Sequence, residues 1–149
     1  MRFTRHPDFA DTLQLTIKGS LFANNTSYDC NQLQFLPPLE VSILGNYNAS
    51  MGDNCGFSGV NNLQNISNPI NGSLSDWGGK TPTLMIDSNS SIVDFVIEDC
   101  SSEDQRGGFR PLDGNNNGIS FCDVGSVELD RTIDPLASDI IFSNGFETL

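Results

Sequence analysis

Asp113-Gly114-Asn115-Asn116-Asn117-Gly118 sets side-chain oxygens at alternate positions and closes on a glycine. This is the first half of a calcium-loop pattern, in which alternate oxygens reach one cation and the glycine makes the sharp turn. The twelfth position is Val124, where such a loop carries a bidentate Glu, so Asp123 or Glu128 would have to substitute in another geometry. The residues that could hold Ca²⁺ are thus Asp113, Asn115, Asn117 and Asp123. A plain Asn/Gly turn is the alternative.

Cys30, Cys55, Cys100 and Cys122 form no CxxC, and the single histidine is His6, which argues against zinc. An even number of cysteines at wide spacing, in a chain poor in lysine and rich in asparagine, fits disulfides and an oxidising compartment. Pairing Cys30–Cys55 and Cys100–Cys122 closes the two shortest loops without crossing.

Arg106 and Arg110 lie amid Asp99, Glu103, Asp104 and Asp113. Fork-shaped guanidinium–carboxylate pairs could fasten a loop-rich cap here, a structural role for Asp104, Arg106 and Arg110. Trp77, beside Gly78-Gly79, reads as a cover over the core, with a sugar-stacking platform as the alternative. The case for an enzyme is thin, because no Ser or Cys sits in a recognisable nucleophile context. Asp87 and Asp94 flank one expected strand, and a paired-carboxylate glycosidase would need them ~5–9.5 Å apart.

Composition bounds the partners. The 149 residues carry a net charge of −12, which disfavours nucleic acid and anionic membranes. Residues 76–149 hold 14 of the 19 acidic and 4 of the 7 basic residues, so the closing half carries −10 and residues 1–75 carry −2. No run approaches the ~20 apolar residues of a membrane span. Residues 1–10 lack the apolar stretch of a signal peptide, so an export signal is expected upstream of Met1.

These residues need elements to position them. Thr12 to Lys18 alternates apolar and polar residues, which puts Leu13, Leu15 and Ile17 on one face of a half-buried strand. Leu21–Ala23, Leu39–Leu44, Val60–Ile66, Thr83–Ile86, Ser91–Ile97 and Val124–Leu129 are further candidate strands. No stretch sustains a helical period, and Gly, Pro and Asn interrupt throughout. The reading is all-β. The strand centres fall about 20–25 residues apart, a period that points to a solenoid of stacked coils. The 16 asparagines fit such coils, since Asn tolerates left-handed turns and stacked amides form ladders. A β-sandwich is the alternative.

Three segments in order carry a resemblance: Gly52 to Phe57, Leu74-Ser75-Asp76-Trp77-Gly78-Gly79-Lys80-Thr81-Pro82-Thr83, and Asp104-Gln105-Arg106-Gly107-Gly108-Phe109-Arg110-Pro111 continuing through Cys122-Asp123-Val124-Gly125-Ser126-Val127-Glu128. Over residues 12–130 the chain resembles the C-terminal part of secreted bacterial right-handed parallel β-helix proteins. These are the CSLREA-domain or choice-of-anchor Q proteins, related to polymorphic outer-membrane repeats. Trp77 and Lys80 depart from the small or Pro residues of that family's turn. The resemblance implies terminal β-helix coils over 1–98, a disulfide-pinned cap over 99–130 and a tail over 131–149. It also implies upstream coils and an extracellular or outer-membrane location. Ile140 to Glu147 resembles the short sorting tails of some exported proteins. The expected function is a non-catalytic structural or adhesive part of an exported protein, with surface carbohydrate or other surface proteins as partners. A fragment of a carbohydrate-active β-helix enzyme is the alternative.

Overall fold

The computed structural model describes residues 12–26, 29–30, 40–53, 55–132 and 134, without the side chains of residues 12–14 and 40–43. His6 and the Ile140–Glu147 tail lie outside the described residues. Among those described there is no helix, and six strands form three two-stranded sheets. β1 (Thr12–Thr16) pairs parallel with β3 (Glu40–Leu44), and β2 (Leu21–Phe22) pairs parallel with β4 (Ala49–Ser50). β5 (Ile70–Ser75) and β6 (Thr83–Ile86) form an antiparallel pair with a register shift between Asn71 and Ser75. The all-β character read from alternation is what the described residues adopt.

The parallel register is regular. Thr12 lies opposite Glu40 and Leu21 opposite Ala49, one offset of 28 residues in both sheets (40 − 12 and 49 − 21). A third level follows 14 residues on (63 − 49), where Leu63 bridges Ala49 in parallel. The spacing of 20–25 residues expected from sequence is thus replaced by 28 and then 14. Strand pairing fixes the register, whereas connecting loops can vary in length at small entropic cost.

Two side-chain devices hold the levels together. Ser20 N donates to Asn48 Oδ1 at 3.1 Å, and Asn48 N donates to Asn62 Oδ1 at 2.8 Å. Asn48 Nδ2 reaches back to Ile17 O at 2.9 Å, and Asn62 Nδ2 reaches back to Gly45 O at 2.9 Å. The two amides therefore repeat one pattern, a ladder of buried donors and acceptors that would otherwise lack water. Glycines form the second device. A Cβ on Gly45 would lie 1.6 Å from Ile17 O, and one on Gly59 would lie 1.8 Å from Gly45 O. Only glycine lets the backbone levels approach this closely.

The core joins these levels to the closing part of the chain. Buried Tyr47, Ala49, Ile86, Ile92, Val93, Val96, Cys122, Val124 and Leu129 form one cluster, with Leu21 and Leu63 packed against it. Residues on both sides of position 98 therefore share this core. Gly125 N donates to Gly19 O at 2.9 Å, so the closing segment also touches the first strand level.

Several expected strands differ. Ser91–Ile97 forms turns, because Asp94 adopts a left-handed φ of 53° that interrupts extended backbone. Val124–Leu129 forms no strand, and Val60–Ile66 contributes only the Leu63 bridge. On the face expected to be half-buried, Leu15 is 48% exposed while Ile17 is partly buried. Cys30 pairs with Cys55 and Cys100 with Cys122, with Cα atoms 4.7 and 6.4 Å apart. Such loops, spanning separations of 25 and 22 residues, each contribute about 3.5 kcal/mol on the loop-entropy account.

Candidate functional site

Residues 87–134 have almost no ladder to satisfy their backbone, only the isolated bridges Val96–Cys122, Glu103–Phe109 and Leu112–Phe121. Buried N–H groups in such a segment need acceptors from elsewhere. Acidic side chains supply them. Asp94 accepts from Gly114 N at 3.2 Å, Asn115 N at 2.8 Å and Phe121 N at 3.4 Å. Asp123 accepts from Asp94 N at 2.7 Å and Leu129 N at 2.6 Å. Glu128 accepts from Asp123 N at 2.9 Å and Leu112 N at 2.8 Å. Asp104 accepts from Arg106 N at 2.7 Å, Gly108 N at 3.0 Å and Glu128 N at 3.1 Å. Each carboxylate thus organises the turn that another supports.

The two arginines balance part of this charge. Arg106 Nε donates to Asp104 Oδ2 at 2.9 Å and Arg106 Nη1 to Asp134 Oδ1 at 2.7 Å, while its Nη2 reaches Glu128 O. Arg110 Nε donates to Glu128 Oε2 at 2.8 Å, and its other nitrogens reach the carbonyls of Gly125 and Asp123. Asp104, Arg106 and Arg110, grouped together in the sequence, thus form ion pairs, with Asp134 and Glu128 as further partners. Of the other neighbouring acids, Asp99 pairs with Lys18 at 2.7 Å. Removing one member of the buried Arg106 or Arg110 pairs is costly, because the other charge stays buried and unpaired.

The electrostatics follow from burial. Asp123 and Glu128 are each 1% exposed. Burial, then the neighbouring Glu128 carboxylate, push the Asp123 carboxyl up from 3.8 to about 7, and the N–H groups of Asp94 and Leu129 offset only part of this. Burial also works against Asp104, but the Glu128 N–H and the Arg106 guanidinium outweigh it and hold that carboxyl below its ordinary value. For Arg106, desolvation is outweighed by Asp134 and Asp104, and its pKa is raised.

The expected calcium residues do not converge. Asp113 accepts from Asn117 N at 3.0 Å and Gly118 N at 2.8 Å, and Asn115 and Asn117 accept from N–H groups two residues on. Those three define one turn with their own oxygens. Asp123 stands apart, with both oxygens bonded inside the core. Among the described residues, no three His, Cys, Asp or Glu side chains gather as a metal site. Asp87 and Asp94 are also separated in role. Asp87 lines a hollow of about 350 Å³ with Ser67, Asn68, Asn89, Ser90 and Ser91, whereas Asp94 is buried and turned to its three N–H donors.

Trp77 is half-buried on a turn whose Gly78 N donates to Asp76 Oδ1 at 3.1 Å. The turn seats on the arginine network, since a Cβ on Gly79 would lie 2.7 Å from Arg106 Cα. Trp77 and the exposed Phe109 line one hollow of about 290 Å³.

Asp94, Asp134 and Glu128 carry much of this network, and sequence reasoning gave none of them a structural role. A signal for two of them was present. Asp94 sits between Val93 and Phe95, and Glu128 between Val127 and Leu129. An acid inside an apolar run is buried only when its oxygens are satisfied. With their oxygens so occupied, these groups hold backbone in place and offer little free valence for catalysis. Comparison with family models, with curated proteins and with solved structures gives no match.

Proposed function

We propose that this chain is a non-catalytic structural or adhesive part of an exported cell-surface or secreted protein, in which β1–β4 and the Leu63 bridge belong to stacked coils of a parallel β-helix and residues 99–130 lock over them. The observation that carries this reading is the shared 28-residue register of β1–β3 and β2–β4, continued by the Asn48–Asn62 ladder. Stacked parallel levels joined by repeated amides are what a solenoid requires, because each coil satisfies its neighbour's backbone. The two disulfides fit an extracellular or otherwise oxidising environment. Among the described residues, no helix is long and apolar enough to cross a membrane.

The closing segment then has a physical task. Exposed strand edges and apolar ends of a solenoid invite aggregation, and a segment with a self-sufficient polar network can cover them. Saturated carboxylates suit that task better than catalysis. Protease shaving of intact source cells, followed by mass spectrometry without reduction, tests the placement. Released peptides linked through Cys30–Cys55 and Cys100–Cys122 are expected. Recovery of the protein from the cytosol with four alkylatable thiols would overturn the reading.

A further inference from the structure

We propose that the hollow between Trp77 and Phe109 binds a neutral sugar ring, an inference that rests on the surface-protein reading and names its ligand class. Both aromatics stand on braced turns. Glu103 and Phe109 form an antiparallel bridge, Asp104 N donates to Gly108 O at 2.9 Å, and Arg110 N donates to Ser102 O at 3.0 Å. Phe109 is nevertheless 78% exposed, the highest value among the described large apolar side chains that stand exposed. Its exposure is therefore held by ordered backbone rather than by a loose end. The Trp77 turn is locked to the same Arg106 through Gly79.

The chemistry around the rings selects the ligand. Gly78, Gly107 and Gly108 have no side chains to cover the rings, and Asp130 adds a carboxylate to the same hollow. Arg106, the cation beside it, is already committed to Asp104, Asp134 and the Glu128 carbonyl. An anionic ligand would find no uncommitted cation there and would meet a chain of charge −12. A ligand with an apolar C–H face for the rings and hydroxyls for an acceptor fits, and a hexopyranose has both. The volume of about 290 Å³ lies at the lower edge of the usual ligand range of ~300–1,000 Å³, a size for one ring rather than a long chain.

Trp77 is the single tryptophan of the chain, so its fluorescence reports on this hollow alone. Titrating the full chain with galactose, mannose or N-acetylglucosamine should give a saturable shift in emission with at least one of them. Phe109→Ala should weaken that binding about tenfold, equivalent to ~1.4 kcal/mol, with the melting temperature unchanged. No saturable change with any of the three sugars would overturn the proposal, as would wild-type affinity in Phe109→Ala. Either result would leave the surface-protein reading standing, which fails instead on cytosolic recovery with free thiols.

Discussion

Asp94→Asn keeps the size and shape of the side chain and removes only its charge and half of its accepting capacity. Asn also tolerates the left-handed φ of 53° at this position, so the backbone preference is retained. In the native chain one oxygen faces Gly114 N and Phe121 N, and the other faces Asn115 N at 2.8 Å. Whichever way the amide turns, its NH₂ meets an N–H, and at least one buried donor loses its acceptor. An unsatisfied buried donor costs about 1–3 kcal/mol. The substitution also relieves repulsion on Asp123, but Asp94 is the least of the influences on that carboxyl, so the lost hydrogen bond dominates. A net loss of about 2 kcal/mol lowers the melting temperature by roughly 4–8 °C in a chain of this size. Thermal unfolding followed by circular dichroism at pH 7, without reductant, measures it, and amide exchange at Gly114 and Asn115 should accelerate. A variant as stable as wild type, with unchanged exchange at those amides, would refute the view that Asp94 holds this segment.

Stability should depend on pH through Asp123. Its carboxyl is raised in the fold, so the folded chain keeps a proton that the unfolded chain releases; the stability this one group contributes is fully present below about pH 4, is lost as pH rises from about 4 to about 7, and then levels, opposite in sign to the contribution of Asp104, whose carboxyl is lowered. The full effect is on the order of 4 kcal/mol, of which about 2–3 kcal/mol falls between pH 5 and pH 8; urea unfolding at those two values measures it, and equal stability at both would contradict it. His6 is the only histidine, so Asp123→Asn should flatten most of that slope. Asn48→Ala removes a fully buried amide that pairs with the part-buried Ser20 N and Ile17 O and should cost about 1–3 kcal/mol in the same assay. The Asp113 turn holds itself through Asn117 N and Gly118 N, so EDTA should leave the melting temperature unchanged, and a rise with added calcium would place a cation on that turn.

Much of the strand content was legible locally. Thr12–Thr16, Glu40–Leu44 and Thr83–Ile86 are strands where apolar runs and turn residues place them. Alternation works there because side-chain direction in a strand is a local property. Ile70–Ser75 carries Asn71, Gly72 and Ser73 and gives no such pattern; β6 imposes extension on it from across the hairpin. Ser91–Ile97 fails in the opposite sense. Its Ile92, Val93 and Val96 are in the core, but Asp94 turns the chain because three distant N–H groups require its carboxylate there.

The candidate sites divide in the same way. Charge clustering around Arg106 and Arg110 was enough to expect a fastened segment, since long cations among acids find partners nearby. Which acids pair was not readable, because Asp134 and Glu128 lie 28 and 18 residues away in sequence and are brought in by the turns they help to form. Asp113, Asn115 and Asn117 share one turn because their spacing is local. Asp123 was misassigned because its environment is a buried core built from segments near residues 94 and 128.

By itself the sequence determined an all-β chain, a closing half rich in acids, and a pairing of cysteines by nearest loops. These follow from side-chain alternation, composition and chain entropy, which act over short distances. Only the tertiary structure decided the 28-residue register, the glycine contacts at Gly45 and Gly59, and the burial that sets the Asp123 proton. Each depends on what lies opposite a residue, and across the parallel pairings that neighbour is 14 or 28 residues away in sequence.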